Sequence, residues 1–188
     1  MDRLDVQRAC GTVLAEVISA LRSVDAGQVV DYAHELLSAR RVFFTGVGRS
    51  LLSMEAAAKR YAHLGIDAVV VGQITEPAIT PDDLLVIGSC SGETLFPIAI
   101  ARRAKQFGAK VVHIGSVPDS SLSEYEDLFV RIPVESRVRR LDEVPSSQPM
   151  TTLFEQSLLL LGDMTALLIM REKHLRTDDL WPYHANLE

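Results

Sequence analysis

Residues 89–94, with the sequence SCSGET, bring three hydroxyls, one thiol and one carboxylate together within six positions. A catalytic set would need a general base beside its nucleophile, and no such base is adjacent in the sequence. An anion cradle would need only a strand, a turn and a helix N-terminus, whose unpaired N–H groups carry partial positive charge. The apolar run DLLVIG before the segment and the helical spacing after it favour the cradle.

The hydroxyls and the glycine of this segment are expected to contact the anion: Ser89, Ser91, Gly92 and Thr94. Cys90 is expected to pack its side chain and offer its backbone N–H, although a helix N-terminus could also lower the pKa of its thiol and make it reactive. A carboxylate facing a phosphate would be repelled. We therefore expect Glu93 to hold the loop in position through backbone N–H contacts.

A second turn of the same design lies at positions 45–50, TGVGRS. Gly48 allows close approach to the backbone, Arg49 would add positive charge beside a phosphate or sugar hydroxyls, and Ser50 adds a further hydroxyl. The two turns can share one anion if their strands are neighbours in a sheet. Ordinary N-capping by the hydroxyls and a surface salt bridge for Arg49 are the alternatives, and the presence of two such turns favours an anion site.

The hydrophobic pattern alternates between helical and extended periods along the chain. Helical spacing predicts helices at 3–22, 26–39, 50–65, 94–108 and roughly 150–173, and apolar runs predict strands at 41–46, 67–72, 83–89, 110–116 and 127–133. Strands separated mostly by helices or long connections indicate a parallel sheet in an α/β three-layer sandwich. The polar segment 135–149 is expected to be a lid or interface loop. The last helix is apolar on most faces, so we expect it to be buried in the fold or in an oligomer interface.

Length and composition indicate one domain over residues 1–188, divided into N-terminal helices at 3–39, an α/β core at 41–133 and a C-terminal helix and tail at 150–188. The net charge of −6 argues against non-specific nucleic-acid and anionic-membrane binding. Cys10 and Cys90 have neither metal-ligand spacing nor a disulfide pattern. The acidic N-terminus is unlike a signal peptide, and polar residues interrupt the longest apolar run, around 158–170. A cytoplasmic location is therefore expected.

SCSGET resembles the [ST]-x-[ST]-G-x-T phosphosugar loop of SIS (sugar isomerase) domains. GVGRS, AHLGIDAVVVG, GAKVVHIGSVPDS, QPMTTLFEQSLLLLGD and the terminal HANLE extend the resemblance, over nearly the whole chain, to the 6-phospho-3-hexuloisomerase family. The resemblance implies a flavodoxin-like fold with a five-stranded parallel sheet and a homotetramer with active sites at subunit interfaces. It also implies interconversion of 3-hexulose 6-phosphate and fructose 6-phosphate in the ribulose monophosphate pathway.

Moving a carbonyl along a sugar through a cis-enediol requires a base that carries one proton and a group that polarises the carbonyl oxygen. No metal or cofactor is needed in principle, and the five histidines form no ligand cluster in the sequence. Glu155 is the candidate base, because a carboxylate in the apolar stretch TLFEQSLLLL is costly unless it is paired or used. A first-turn glutamate interacting with the helix dipole is the alternative. The resemblance aligns LFEQ with the proposed base of the family.

Two histidines complete the candidate set. His184, in the terminal YHANLE, is the candidate acid or ring-opening group, and a frayed, solvated tail is the alternative. The resemblance implies that this tail docks near the site of a neighbouring subunit. His63 stands at the end of a predicted helix, where it complements the helix dipole. The family also has a histidine there, so His63 is a secondary candidate.

The chain departs from the family pattern at four positions: Leu51, Cys90, Thr151 and Tyr183. Thr151 replaces a glycine close to the candidate base and would restrict close approach or backbone freedom. An isomerase for a different sugar phosphate and a non-catalytic phosphosugar-binding regulator therefore stay open as alternatives. A nucleotide- or coenzyme-binding protein is argued against, because GVGRSL lacks the third glycine of the dinucleotide fingerprint and no GxxxxGK[ST] motif occurs.

Overall fold

The computed structural model describes residues 2–136 and 140–187, and a sheet of five parallel strands lies at its centre. The strands are β1 (Val42–Gly46), β2 (Ala68–Val70), β3 (Leu84–Gly88), β4 (Lys110–Gly115) and β5 (Leu128–Arg131), in the order β2-β1-β3-β4-β5. The predicted parallel sheet is thereby confirmed. The inner strands are buried at almost every position, because helices cover both faces of the sheet.

The helices are α1 (Arg3–Arg22), α2 (Ala26–Ser38), α3 (Arg49–His63), α4 (Leu95–Gln106) and α5 (Thr152–Glu172), with short 3₁₀ segments at Ser121–Glu124 and Thr177–Tyr183. Every predicted helix is present, with each end within two residues of its predicted position. Capping residues set the N-termini of α1 and α2. Asp2 and Asp25 accept hydrogen bonds from the N–H groups of Asp5 and Gln28, as N-caps do.

Alternate residues of each strand enter two different layers of the core. Val42 and Phe44 pack in the larger cluster with α1, α2, α3 and α5, whereas Phe43 packs in the smaller cluster with Ala101 and Ala104 of α4. The result is the predicted three-layer arrangement. Helix α3 packs most extensively on α5, and the two run in the same direction, since Ser53 contacts Glu155 and Ala57 lies beside Gly162.

Helix α5 is long and apolar enough to cross a membrane by length and composition, a property that the sequence analysis did not detect. Burial in the fold also explains why α5 is apolar, since 56% of its most apolar 18-residue segment is buried inside the fold. That inner face confirms the prediction of a buried helix. The outer face carries further apolar side chains that are 36–49% exposed: Leu159, Leu160, Met164, Leu167 and Leu168.

The predicted loop at 135–149 includes residues 137–139, which lie outside the described residues. Val144 forms an isolated parallel bridge with Val134. Further along, the segment 146–148 is fastened to α1, because Glu16 accepts hydrogen bonds from Ser146, Ser147 and Gln148. The last part of the loop is therefore anchored immediately before α5 begins.

Candidate active site

The two hydroxyl-rich turns lie side by side at the carboxyl edge of the sheet. β1 and β3 are neighbours, and Gly46 is in register with Gly88 at their ends. The strands approach so closely that a Cβ on Gly46 would lie 3.1 Å from the Gly88 carbonyl oxygen. Helices α3 and α4 both begin here, so two helix N-termini converge on the same edge, as an anion site in an open parallel sheet requires.

In the described part of the chain, the hydroxyls of Ser50 and Thr94 make no capping hydrogen bond to α3 or α4. The N-cap of α3 is Gly48, with φ +61°, and Thr94 is the N-cap of α4; among the described residues neither position makes a side-chain capping hydrogen bond. The capping alternative therefore does not account for the hydroxyls of Ser50 and Thr94. Both residues are half-buried at the edge where the anion is expected.

We call the loop at residues 89–94 the phosphate loop. Three of its backbone carbonyl groups form hydrogen bonds with β4 or with the segment that follows β4. The Ser89 carbonyl lies 2.9 Å from Nε2 of His113, the Cys90 carbonyl accepts from the N–H of Ser116, and the Gly92 carbonyl accepts from the N–H of Leu122. Carbonyl oxygens repel anions. Because these three carbonyl oxygens are directed toward β4 and the segment after it, they do not face an anion bound on the other side of the loop.

The hydroxyls of Ser89 and Ser91 shape the same loop. Ser89 Oγ accepts from the N–H of Gly92, and Ser91 Oγ accepts from the N–H of Glu93, each at 3.2 Å. A hydroxyl that accepts one hydrogen bond can still donate its own proton. Ser89 is only 4% exposed, so its contribution is chiefly to the form of the loop, whereas Ser91 is half-buried.

Gly92 is the position where the loop tolerates no side chain. Its φ of +65° is unfavourable for other residues, and a Cβ there would lie 2.0 Å from Oγ of Ser120 and 3.1 Å from Cε1 of His113. The loop therefore rests directly on the segment that follows β4.

Glu93 turns away from the anion side and fastens the loop to the 3₁₀ segment. Its carboxylate accepts from both the hydroxyl and the N–H of Ser121, at 2.6 and 2.8 Å. These two hydrogen bonds lower the pKa of Glu93. The contacts agree with the expectation that Glu93 positions the loop through a backbone N–H.

Cys90 packs in the core, and its thiol is not activated. Burial, followed by the nearby charges of Glu143 and Glu155, raises the pKa of Cys90 to about 12. A thiol with such a pKa stays protonated near neutral pH and is a poor nucleophile. The alternative of a reactive Cys90 is therefore wrong, and its packing in the larger core cluster follows the expected role.

The candidate base, Glu155, lies in the first turn of α5 at the same sheet edge. Its side chain is nearly buried, and its two carboxylate oxygens have different partners: Nε of Arg49 donates to Oε2, and the Thr151 hydroxyl donates to Oε1 at 2.9 Å. Ser53 donates to the Glu155 carbonyl at 2.8 Å, which joins α3 to α5 at this point. Arg49 therefore forms a salt bridge, as in the alternative to a phosphate or sugar contact. Its partner in that salt bridge is the candidate base, Glu155.

A cleft of about 190 Å³ opens beside this carboxylate. Its walls come from the first turns of α3 and α5: Arg49, Leu52, Ser53, Ala56, Glu155, Gln156 and Leu159. Thr151, the residue that replaces a family glycine, donates its hydroxyl to the carboxylate and has φ −96°, so its backbone is not in the left-handed region. The departure at Thr151 therefore adds a hydrogen-bond donor at the base.

The structure brings His63 and His184 together but sets both apart from Glu155. The rings stack with centroids 5.2 Å apart and an angle of 18° between their planes, and Trp181 packs 5.3 Å from His184. The tail is therefore docked on its own chain. His63 ends α3 whereas Arg49 begins it, so about 21 Å of helix separates the two residues at 1.5 Å per residue.

Sequence reasoning did not identify the support beneath the phosphate loop, which consists of His113, Ser116, Ser120, Ser121 and Leu122. The available signal was the segment HIGSVPDSS, whose small and hydroxyl residues follow a strand of the same parallel sheet. Carboxyl ends of neighbouring parallel strands meet at one edge, so this segment had to lie beside the loop once β3 and β4 were paired.

Comparisons with known proteins identify the family of the chain. The SIS domain family model matches residues 35–165. The chain is 35% identical over 176 residues to the 3-hexulose-6-phosphate isomerase of Bacillus subtilis, covering 94% of this chain and 95% of the relative. It is 34% identical over 184 residues to the protein of the same name from Mycobacterium gastri, covering 98% and 92%.

A solved structure shows the same architecture. A hypothetical protein from Methanococcus jannaschii, whose crystal structure infers a molecular function of 3-hexulose-6-phosphate isomerase, matches with a TM-score of 0.83 at 26% identity, over 96% of this chain and 99% of that one. Because the family model matches more than half of the chain, and the sheet has the same architecture as the solved structure, the chain belongs to the SIS domain family.

Proposed function

We propose that this protein is an isomerase that interconverts 3-hexulose 6-phosphate and fructose 6-phosphate. One observation carries the proposal: a nearly buried carboxylate, Glu155, lies at the same sheet edge as the phosphate loop, in a chain about 35% identical to proteins named 3-hexulose-6-phosphate isomerase. A phosphate anchored on the loop leaves the rest of the sugar to reach the cleft beside Glu155. Cytoplasmic location and a role in the ribulose monophosphate pathway are parts of the same proposal.

The reaction needs one proton to move between adjacent carbons. Glu155 removes the proton from carbon 2 of the 3-ketose while the carbonyl oxygen on carbon 3 gains a proton, which gives a 2,3-enediol. The same carboxylate then returns a proton to carbon 3 as the hydroxyl on carbon 2 loses its own and becomes the carbonyl. Arg49 and Thr151 hold the two carboxylate oxygens, so the base is oriented before the sugar arrives.

We further propose that the acid, His184, is supplied by a second copy of the chain. Within one protomer, His184 stacks on His63 at the far end of α3, about 21 Å along the helix from Arg49. One sugar phosphate cannot span that distance and still contact both groups. Exposed apolar side chains on α5, together with Leu14 and Ile18 of α1, supply a surface for a homo-oligomer, and a homotetramer is the form that we expect.

The direct test is an isomerase assay on the purified protein. 3-Hexulose 6-phosphate is supplied, and the fructose 6-phosphate formed is converted to glucose 6-phosphate and oxidised by a coupled dehydrogenase, with NADPH absorbance as the readout. The proposal predicts turnover by the wild type and a loss of at least a hundredfold in E155Q, given the usual contribution of a general base. E55Q, at an exposed glutamate of α3, is the matched control and should keep wild-type turnover.

A further inference from the structure

His113 of β4 is fully buried beneath the phosphate loop. Its Nε2 lies 2.9 Å from the carbonyl oxygen of Ser89, the first residue of the loop. A carbonyl oxygen only accepts hydrogen bonds, so Nε2 has to carry a proton in this arrangement.

The other ring nitrogen also faces an acceptor. Nδ1 lies 2.8 Å from Oε2 of Glu126, whose side chain is 13% exposed. If Glu126 is a carboxylate, it has no proton to give, and the hydrogen bond then requires a proton on Nδ1 as well. A protonated Glu126 beside a neutral ring is the competing arrangement, and the NMR measurement below distinguishes the two. The ring also contacts the Phe129 ring at 5.0 Å and lies close to Gly92 and Gly115. Of these neighbouring residues, Glu126 is the one with a titratable side chain.

We propose that His113 is held as an imidazolium paired with Glu126, and that this pair is a positioning element for the phosphate loop. The role rests on the proposed function, in which the loop binds the phosphate end of the sugar. The pair acts in two ways. It keeps the Ser89 carbonyl turned away from the anion, and it orients the positive end of a buried ion pair toward the loop, where a charge-assisted hydrogen bond is stronger than a neutral one.

Packing around the ring makes the position sensitive to replacement. A Cβ on Gly115 would lie 2.4 Å from Nε2, and one on Gly92 would lie 3.1 Å from Cε1, so the ring fills the space between the end of β4 and the loop. An apolar residue of similar size would fill much of that space but would leave the Ser89 carbonyl without its donor. Replacing His113 by an apolar residue of similar size therefore separates the contribution of its shape from that of its hydrogen bond to Ser89.

The first experiment reads the protonation state without any ligand. Nitrogen-15 NMR of the labelled wild-type protein at neutral pH should show both ring nitrogens of His113 protonated, with assignment through bonds from the backbone and side-chain carbons of His113. A single unprotonated nitrogen on this ring would overturn the proposal. The exposed His34 serves as the internal reference for a solvated ring.

The second experiment measures affinity for inorganic phosphate and fructose 6-phosphate by calorimetry. H113L should bind both about tenfold more weakly, as expected for loss of a charge-assisted hydrogen bond. E126Q should lose less, because its amide can donate to Nδ1 while Nε2 still donates to Ser89. In turnover, KM should rise while kcat at saturation changes little, since Glu155 is untouched. H34Q and E124Q, at exposed positions, are the matched controls.

The outcomes separate the two proposals. Tight binding by the wild type and equal binding by H113L would overturn the role of His113 and leave the proposed function standing. A wild-type protein that binds neither probe would overturn the proposed function and this role with it, whatever the NMR result. If H113L fails to fold, E126Q and the NMR measurement carry the test: wild-type affinity in E126Q together with a neutral His113 ring would overturn the proposal.

Discussion

Replacing Gly92 by alanine tests the contact between the phosphate loop and the segment beneath it. The new Cβ would lie 2.0 Å from Oγ and 2.4 Å from Cβ of Ser120, at a φ of +65°. The left-handed backbone alone costs an alanine about 1–2 kcal/mol, and forcing an extra methyl into a packed site costs about 1–3 kcal/mol more. We therefore expect G92A to lower the free energy of unfolding by about 2–5 kcal/mol.

G108A separates the two contributions. Gly108 has a φ of +78°, but a Cβ there would meet Pro81 Cγ at 3.4 Å, an ordinary contact. G108A should therefore show the backbone cost alone, about 1–2 kcal/mol. Denaturant titration measures the free energy of unfolding, and thermal melts should show a fall of about 2–4 °C per kcal/mol for a domain of this size.

The contact predicts coupling between Gly92 and Ser120. In a double-mutant cycle, S120G removes both clashing atoms and should recover about 1–3 kcal/mol of the G92A loss. G92A should also bind fructose 6-phosphate at least about tenfold more weakly, since displacing the loop loses at least one ligand hydrogen bond. Equal losses of stability in G92A and G108A, with no coupling to S120G, would refute the packing of Ser120 beneath the loop.

Three further perturbations probe the surrounding structure. T151V removes the hydroxyl that donates to Glu155, so kcat should fall about fivefold, as for a net hydrogen bond of about 1 kcal/mol; T151S should restore it, and an unchanged T151V would contradict the contact. Burial by itself raises the pKa of Glu16, but hydrogen bonds from residues 146–148 outweigh it and lower that pKa from 4.5 to about 2. The stabilisation is therefore present above pH 4.5 and is lost as pH falls toward 2; urea titrations should show wild type and E16Q converging over that window, and parallel curves would refute the role of Glu16. Finally, E155Q and H184N should each be inactive, but randomly mixed subunits should recover about a quarter of wild-type activity if each site takes one residue from each of two copies; no recovery in verified mixed oligomers would refute the shared site.

The sheet could be predicted because each strand carries its own signal. The apolar runs 41–46 and 83–89 have a glycine as their last or next-to-last residue, and helical spacing fills the connections. The strand predicted at 67–72 is shorter, Ala68–Val70, because the chain turns at Gly72, where φ is +94°. The order of the strands is set by long-range packing, which no local pattern encodes.

The candidate site shows the same division between local and distant information. The predictions of an anion cradle at SCSGET and of a positioning role for Glu93 came from residue type and spacing, because such a cradle is built within a single turn. The pairing of Arg49 with Glu155 joins residues 106 positions apart, and the bond from His113 to Ser89 joins residues 24 positions apart. Each partner appears ordinary in its own segment, so such contacts emerge only when parallel strands and helices α3 and α5 are brought together.

Solvent deuterium exchange tests the assignment of Glu155 as the proton-carrying base most directly. Fructose 6-phosphate is incubated with the protein in deuterated water, and NMR follows deuterium at carbon 3. The wild type should exchange the carbon 3 proton, whereas E155Q should bind the sugar phosphate with similar affinity and exchange nothing. Exchange in E155Q at the wild-type rate would contradict the role of Glu155. Tight binding by the wild type with no exchange at carbon 3 would contradict the isomerase itself and indicate a phosphosugar-binding regulator.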